Sequence, residues 1–506
     1  MAHPIQLDGR SLTIADVVAV ARDGAPVSIP DGVRDKVRRA RAIVDAMVAE
    51  NRVVYGVTTG FGKMSDVAIP PDRQAELQLN LIRSHVVGVG PLLPEPEVRA
   101  MMLLRANVLA KGHTGTRIDL VDLLANMLNA GLYPPVPEQG SVGASGDLAP
   151  LAHLAITLLG EGELCRGAER APAATMLKGA GLEPVTLQPK EGVGLINGTQ
   201  AHTAVAALAL DAAKTLWEAA QVAGAASLEA LKGTPVAFDA RIHEARGQLG
   251  QQHAAAMFLR LLADSEIRES HRLNDPRVQD AYALRCMPQV HGPVWDALQH
   301  AEAVITREIN AATDNPLVFD TGEMLSGGNF HGQAVAMVLD FMAIALTNLA
   351  VMSERRIDRL VHPDLNEGLP PFLTKEAGVC SGLMMVQVTA AALTSECKVL
   401  SHPASVDSIP TDGSKEDVVP MAMGAAWKLR RVIHNVRHVL AIELLCAMQG
   451  LDFRKPLRPG VGVKRAFDIV RAASSFVDKD RVLSPDVEAI ADLIRRGALR
   501  GLERTA

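Results

Sequence analysis

Residues 140–154 read Gly-Ser-Val-Gly-Ala-Ser-Gly-Asp-Leu-Ala-Pro-Leu-Ala-His-Leu. Gly143, Ala144 and Gly146 surround Ser145 with three of the smallest side chains. Glycine on both sides frees the backbone for turns that other residues reach only at a cost. Asp147 reads as a helix N-cap, and Pro150 falls in the first turn, where a missing N–H is tolerated. The apolar stretch from Leu151 to Leu159 predicts a buried helix whose positive dipole end faces the Ala-Ser-Gly turn. Such a turn can become an electrophile. The amide nitrogen of Gly146 is placed to attack the carbonyl carbon of Ala144, closing a five-membered ring over Ala144, Ser145 and Gly146. Loss of water from the ring, and of the Ser145 hydroxyl, leaves an exocyclic methylidene. A bulky side chain at 144 or 146 would crowd the closure, and without the Ser145 hydroxyl the methylidene could not form.

The fifteen residues resemble the signature of the histidine/phenylalanine/tyrosine ammonia-lyase family, and the resemblance runs from about residue 10 to about residue 480. It implies a 4-methylidene-imidazol-5-one (MIO) made from Ala144-Ser145-Gly146, with no external cofactor. It also implies an all-α subunit of the fumarase/aspartase-like type, assembled as a homotetramer whose active sites each draw on three subunits.

The rest of the chain reads as helix by composition and period. Residues 1–50 hold amphipathic helix, and helices resume at 73–83, 101–110 and 119–130. After Asn197-Gly198-Thr199 come long Ala/Leu-rich segments at about 200–231, 292–312, 333–360, 380–401 and 424–450. Runs of that length with few glycines predict a long-helix bundle. The expected division is a MIO-forming N-terminal domain over 1–195, a central bundle over 196–450 and a helical cap over 451–506. Loops rich in polar groups fall at 51–63, 84–90, 271–291, 313–332, 362–372 and 403–420.

Eliminating ammonia from an α-amino acid requires capture of a poor leaving group and removal of a weakly acidic β-proton, with the substrate held in near-attack geometry. The chain has only three tyrosines. Tyr55, in the glycine-rich loop, resembles the family's catalytic base. A free phenol titrates near pH 10, so this role calls for nearby positive potential, expected from the helix N-terminus at Ser145. Residues 279–289 resemble a second constellation. If the segment is helical, Gln279, Tyr282 and Arg285 share a face, and Arg285 can grip a substrate carboxylate with two N–H groups. The resemblance assigns Tyr282 to the reacting centre, Asn197 to the MIO or the substrate carboxylate, and Phe330 to a loop aimed at the same place.

Ser84-His85 is the form found in histidine-using members, and Glu416 matches their acidic partner for imidazole. Together they offer a ring the donor and acceptor it needs. The resemblance therefore implies conversion of L-histidine to trans-urocanate. Two departures stand out. Thr58 occupies a position more often asparagine, and Lys415-Glu416-Asp417-Val418-Val419-Pro420 replaces the usual Gln-Glu-Asp-His-Val-Ser. They keep open an aminomutase, or a lyase for a modified histidine or another aromatic amino acid. A trimethylammonium substrate would leave without an electrophile, so the intact Ala-Ser-Gly favours a primary amine.

Composition excludes other classes. The net charge of −6, with both signs interspersed, gives no footprint for nucleic acid. The five cysteines are scattered and no His/Cys cluster has ligand spacing, so free thiols in the cytoplasm and no metal are expected. The most membrane-like stretch, 334–352, carries Asp340, which a bilayer would penalise by roughly 3 kcal/mol. No basic segment followed by an apolar run marks a secretion signal. A serine hydrolase would need glycine where Asp147 stands, and a buried strand before Ser145. A catalytically silent helical scaffold is the remaining alternative.

Overall fold

The computed structural model describes residues 4–50 and 52–504; Asn51, the start of one expected loop, lies outside them. The chain is 58% helix and 6% strand, and among the described residues the strands form only four two-stranded pieces. The subunit is all-α.

Two units divide the chain. The first comprises the residues up to Leu208 with Glu302–Asp340 and Pro403–Trp427. It opens with α1 (Ile14–Asp23) and α2 (Asp31–Ala49). α1 starts where Thr13 and Asp16 cap each other's backbone N–H groups, and stops at left-handed Gly24. α3 (Gln74–His85) leads into the strand β1 (Val89–Leu92). α4 (Glu95–Ala110) is buried on every side from Glu97 onward, which places it in the centre of its unit. β2 (Pro137–Gln139) pairs antiparallel with β1 on the surface, a short ladder that begins inside the loop expected at 84–90. It feeds residues 140–147 into α5 (Leu148–Leu158).

The second unit comprises Ala209–Ala301, Phe341–His402 and the residues from Lys428 onward. The long segments read from the sequence form α6 (Gln200–Ala230), α7 (Met287–Glu308), α8 (Gln333–Val361), α9 (Met384–Leu400) and α10 (Ala422–Asp452). Leucine, alanine and methionine supply most of the packing, and one buried charged set is fully paired. Glu443 on α10 takes both Nε and Nη2 of Arg356 on α8, at 2.5 and 2.9 Å, and the Ser227 hydroxyl of α6 at 2.7 Å. Neither charged side chain reaches solvent. Trp217 stacks on His253 and donates its indole N–H to the His291 carbonyl. The membrane-length window of α8 is 67% buried inside the protein, as expected of a core helix.

One ion pair sets the stage for the site. Lys190, held at φ 78°, donates to Asp314 at 2.6 Å, and both side chains are completely buried. Burial pushes the Lys190 ammonium downward from its ordinary range, and the Asp314 carboxylate opposes this. The pair ties the turn before the short helix Glu191–Ile196 to the loop after α7. Asp314→Ala leaves a buried, unmatched ammonium and should destabilise the protein by about 3–5 kcal/mol in denaturant unfolding. A cost below about 1 kcal/mol would show that the pair is dispensable.

Candidate active site

Ser145 sits between two backbones that touch. Gly146, at φ 76°, forms a parallel bridge with Gly198, and the Asp147 N–H donates to the Gly198 carbonyl at 2.7 Å. A Cβ on Gly146 would lie 2.1 Å from that oxygen, so only glycine fits. Ala144 is buried. The Asn197 amide donates to the Ser145 carbonyl at 3.0 Å, and its own Oδ1 is buried without a protein partner. Beneath it, fully buried Arg105 grips the carbonyls of Gly194 and Asn197 at 2.8 and 2.9 Å and the Gln200 side chain. Desolvation lowers Arg105 to about 10.

Asp147 occupies the N-cap position of α5 but does not cap it. Its carboxylate accepts the Ser141 hydroxyl at 2.7 Å and the His202 backbone N–H at 2.9 Å, and lies 2.8 Å from the His202 ring. This buried cluster holds Asp147 below the usual carboxylate range, His202 opposing the cost of burial. The positive dipole end of α5, uncapped by that carboxylate, adjoins residues 144–146 in the chain.

Two cavities, of 420 and 390 Å³, meet at Tyr55, Gly62, Ser145, Asp412 and Glu416. The first is also lined by Ala144, Phe330 and Lys415, the second by His85 and Asn197. Loops that are far apart in sequence thus bring Tyr55, His85, Ala144, Ser145, Asn197, Phe330 and Glu416 together within the first unit. Glu416 accepts the Ser145 hydroxyl at 2.5 Å through one oxygen and the Thr411 hydroxyl at 2.5 Å through the other. His85 Nδ1 lies 2.8 Å from the Leu81 carbonyl, which can only accept, so the neutral ring carries its proton there. Nε2 is left as an acceptor. Burial pulls the imidazole below its ordinary range. The pocket therefore offers two acceptors, not the donor and acceptor expected from the sequence.

Tyr55 departs from expectation in its electrostatics. Burial raises its phenol, the Gly62 N–H (3.1 Å) lowers it, and the charges beside it, Asp412 and Glu416, are negative and raise it further. Thr58 has a structural use: its hydroxyl donates to the Arg52 carbonyl at 2.8 Å and accepts the Val54 N–H at 2.9 Å, closing the loop that carries Tyr55.

Gln279, Tyr282 and Arg285 belong to the second unit, and none is among the residues lining the two cavities. The shared helical face is not formed. Helix covers only Tyr282–Arg285, because Asp280 is committed to the Thr234 N–H and Arg277 to Asp275, which leaves Gln279 in an exposed loop. Arg285 lies over the Tyr282 ring at 4.7 Å, and that tyrosine is 71% exposed.

Sequence reasoning missed Asp412, whose Oδ1 accepts the Lys63 N–H at 3.3 Å and which walls both cavities. It stands four residues before Glu416, inside a loop already marked by clustered polar groups. Asp147–His202 and Arg105 left no motif, since their partners lie 55 and up to 95 residues away.

The model of the aromatic amino acid lyase family matches residues 12–472. A histidine ammonia-lyase of Koribacter versatilis is 52% identical, covering 99% of both chains. The crystal structure of histidine ammonia-lyase from Trypanosoma cruzi superposes with a TM-score of 0.92 at 42% identity, over 99% of this chain and 95% of that one. Tyrosine aminomutase from Streptomyces globisporus gives 0.93 at 38% identity, covering 98% of each.

Gly198→Ala would put a Cβ 2.4 Å from Arg105 and 2.7 Å from the Thr313 hydroxyl at φ 148°. It should lower the unfolding midpoint and the soluble yield together. A variant as stable as its parent would mean that the 197–198 loop relaxes freely.

Proposed function

The chain belongs to the aromatic amino acid lyase family and is a carbon–nitrogen lyase; we propose that its reaction is the non-oxidative elimination of ammonia from L-histidine, giving trans-urocanate. The observation that carries this reading is the convergence of Glu416 and His85 on the cavity that holds Tyr55 and Ser145.

Ala144, Ser145 and Gly146 fit an electrophile made from their own backbone. Glycine is the only residue that fits at 146, Ala144 is small and buried, and the Asn197 amide donates to the Ser145 carbonyl. When formed, the MIO supplies an electron-poor carbon that holds the substrate's amine as it departs. The chain's other residues bind, orient and move the proton.

Tyr55 accepts the β-proton at its phenolic oxygen. Its raised pKa makes it a strong base once ionised, so turnover should climb with pH as the phenolate forms. His85 Nε2 and the Glu416 carboxylate both accept, and select a ring that donates N–H. Imidazole donates from one nitrogen when neutral and from both when protonated; phenylalanine donates none. An unmatched partner costs about 1–3 kcal/mol, more for the charged one, or roughly tenfold to hundredfold in selectivity per group.

Arg285, with Gln279 and Tyr282, is assigned to the substrate carboxylate and reacting centre of a second copy. The exposure of Tyr282 supports this. A homotetramer is further supported by exposed Met337, Phe341, Ile344 and Val351, which repeat along one side of α8. The cytoplasm is the assigned compartment, and no nucleic acid or membrane takes part.

The substrate assignment is tested by offering histidine, tyrosine, phenylalanine and modified histidines, and following the absorbance of the conjugated acrylate. Histidine should be preferred. If it is inert while an analogue bearing an added anion turns over, exposed Lys415 at the cavity rim has set the substrate and the assignment is wrong. Separately, Tyr55→Phe should lower kcat by about 10²–10⁴-fold while the mature chain still weighs two waters less than its own sequence. An unchanged rate would move the base elsewhere.

A further inference from the structure

Glu416 has a use that precedes any substrate, given that residues 144–146 become the electrophile. We propose that Glu416 helps to make that electrophile, by carrying the proton that lets the Ser145 hydroxyl leave as water. The Ser145 hydroxyl donates to Glu416 Oε1 at 2.5 Å, the distance of a charge-assisted O–H···O⁻ bond. Oε2 is fixed by the Thr411 hydroxyl at 2.5 Å, and the Thr411 N–H donates to the Glu416 carbonyl at 2.9 Å. On the opposite side Asn197 donates to the Ser145 carbonyl at 3.0 Å. Ser145 is therefore held at its carbonyl and at its hydroxyl while the ring closes.

The balance is simple. Attack of Gly146 N on the Ala144 carbonyl carbon forms the ring, and the carbonyl oxygen leaves as the first water with the N–H protons of Ser145 and Gly146. The second water requires one proton to move from Ser145 Cα to Oγ. The Cα–H electron pair becomes the Cα=Cβ double bond, and the Cβ–Oγ bond breaks with its pair on oxygen. The Glu416 carboxylate receives the Cα proton and returns it to Oγ, so it ends as it began and no oxidant or reductant is consumed.

No other acid or base in the cavities is placed for this. Among the described residues, Tyr55, His85, His331, Asp412, Lys415 and Asp417 make no hydrogen bond to the Ser145 hydroxyl, His331 turning Nε2 to the Val418 carbonyl at 3.1 Å, and the neighbouring Asp147 carboxylate is committed to Ser141 and His202. Once water has left, Oε1 has lost its partner and is open to the substrate ring. The same carboxylate then serves two reactions in succession.

The test follows intact mass and near-ultraviolet absorbance through time during cell-free synthesis of the parent, Glu416→Gln and Thr411→Val. The parent should lose two waters. Glu416→Gln can accept from the Ser145 hydroxyl and donate to the Thr411 hydroxyl but cannot relay a proton, so the second loss should slow by about a hundredfold or more. Thr411→Val keeps the acid but frees one oxygen, and should slow it less. Circular dichroism checks that each variant folds, and if Glu416→Gln does not, Thr411→Val decides. Loss of two waters at the parent's rate in the folded variants would overturn the role of Glu416. A parent that stays at full mass would instead overturn the reading of residues 144–146 on which it rests.

Discussion

The backbones of Gly146 and Gly198 meet with no room for a side chain on either. Most of the first unit's unusual chemistry serves that contact. Arg105 reaches the carbonyls of Gly194 and Asn197 at the end of the helix Glu191–Ile196, and the Lys190–Asp314 pair anchors its start. Each of these charged groups is fully buried, and each would be costly to leave unmatched. A site made from backbone alone cannot be steered by side-chain rotamers. It has to be steered by what presses on the backbone, which explains why so much buried charge collects behind three small residues.

The same economy shows in Asp147. A sequence reading places it as a cap on α5, and in position it is one. Its carboxylate, however, ties Ser141 to the start of α6 through His202 and makes no capping bond to the helix. The positive dipole end of α5 adjoins Ala144–Gly146 in the chain. Tyr55 lines the same two cavities, where the charges of Asp412 and Glu416 raise its phenol. Glu416 belongs to both settings, since its carboxylate also accepts the Ser145 hydroxyl at 2.5 Å.

Much of this was legible beforehand. The five long helices follow from Ala/Leu composition over runs that no loop interrupts, and their observed limits lie within a few residues of those read from the chain. Tyr55, His85, Ser145, Asn197, Phe330 and Glu416 were identified by motif, and the fold brings them to adjoining cavities. What stayed hidden was relational. Gln279 fell out of the expected helix because Asp280 and Arg277 found partners nearby. The His85 tautomer depends on the Leu81 carbonyl one turn earlier, which no motif records. Asp412 acquires meaning only when its loop folds over Gly62 and Lys63.

Every role proposed for Ala144, Ser145 and Gly146 depends on their conversion into a ring inside the folded chain. Fragmentation mass spectrometry of the peptide spanning residues 140–154, taken from protein shown to be turning over histidine, addresses it most directly. A deficit of two waters confined to residues 144–146 is expected, with the flanking residues at their ordinary masses. A peptide of unaltered mass from active protein would contradict it.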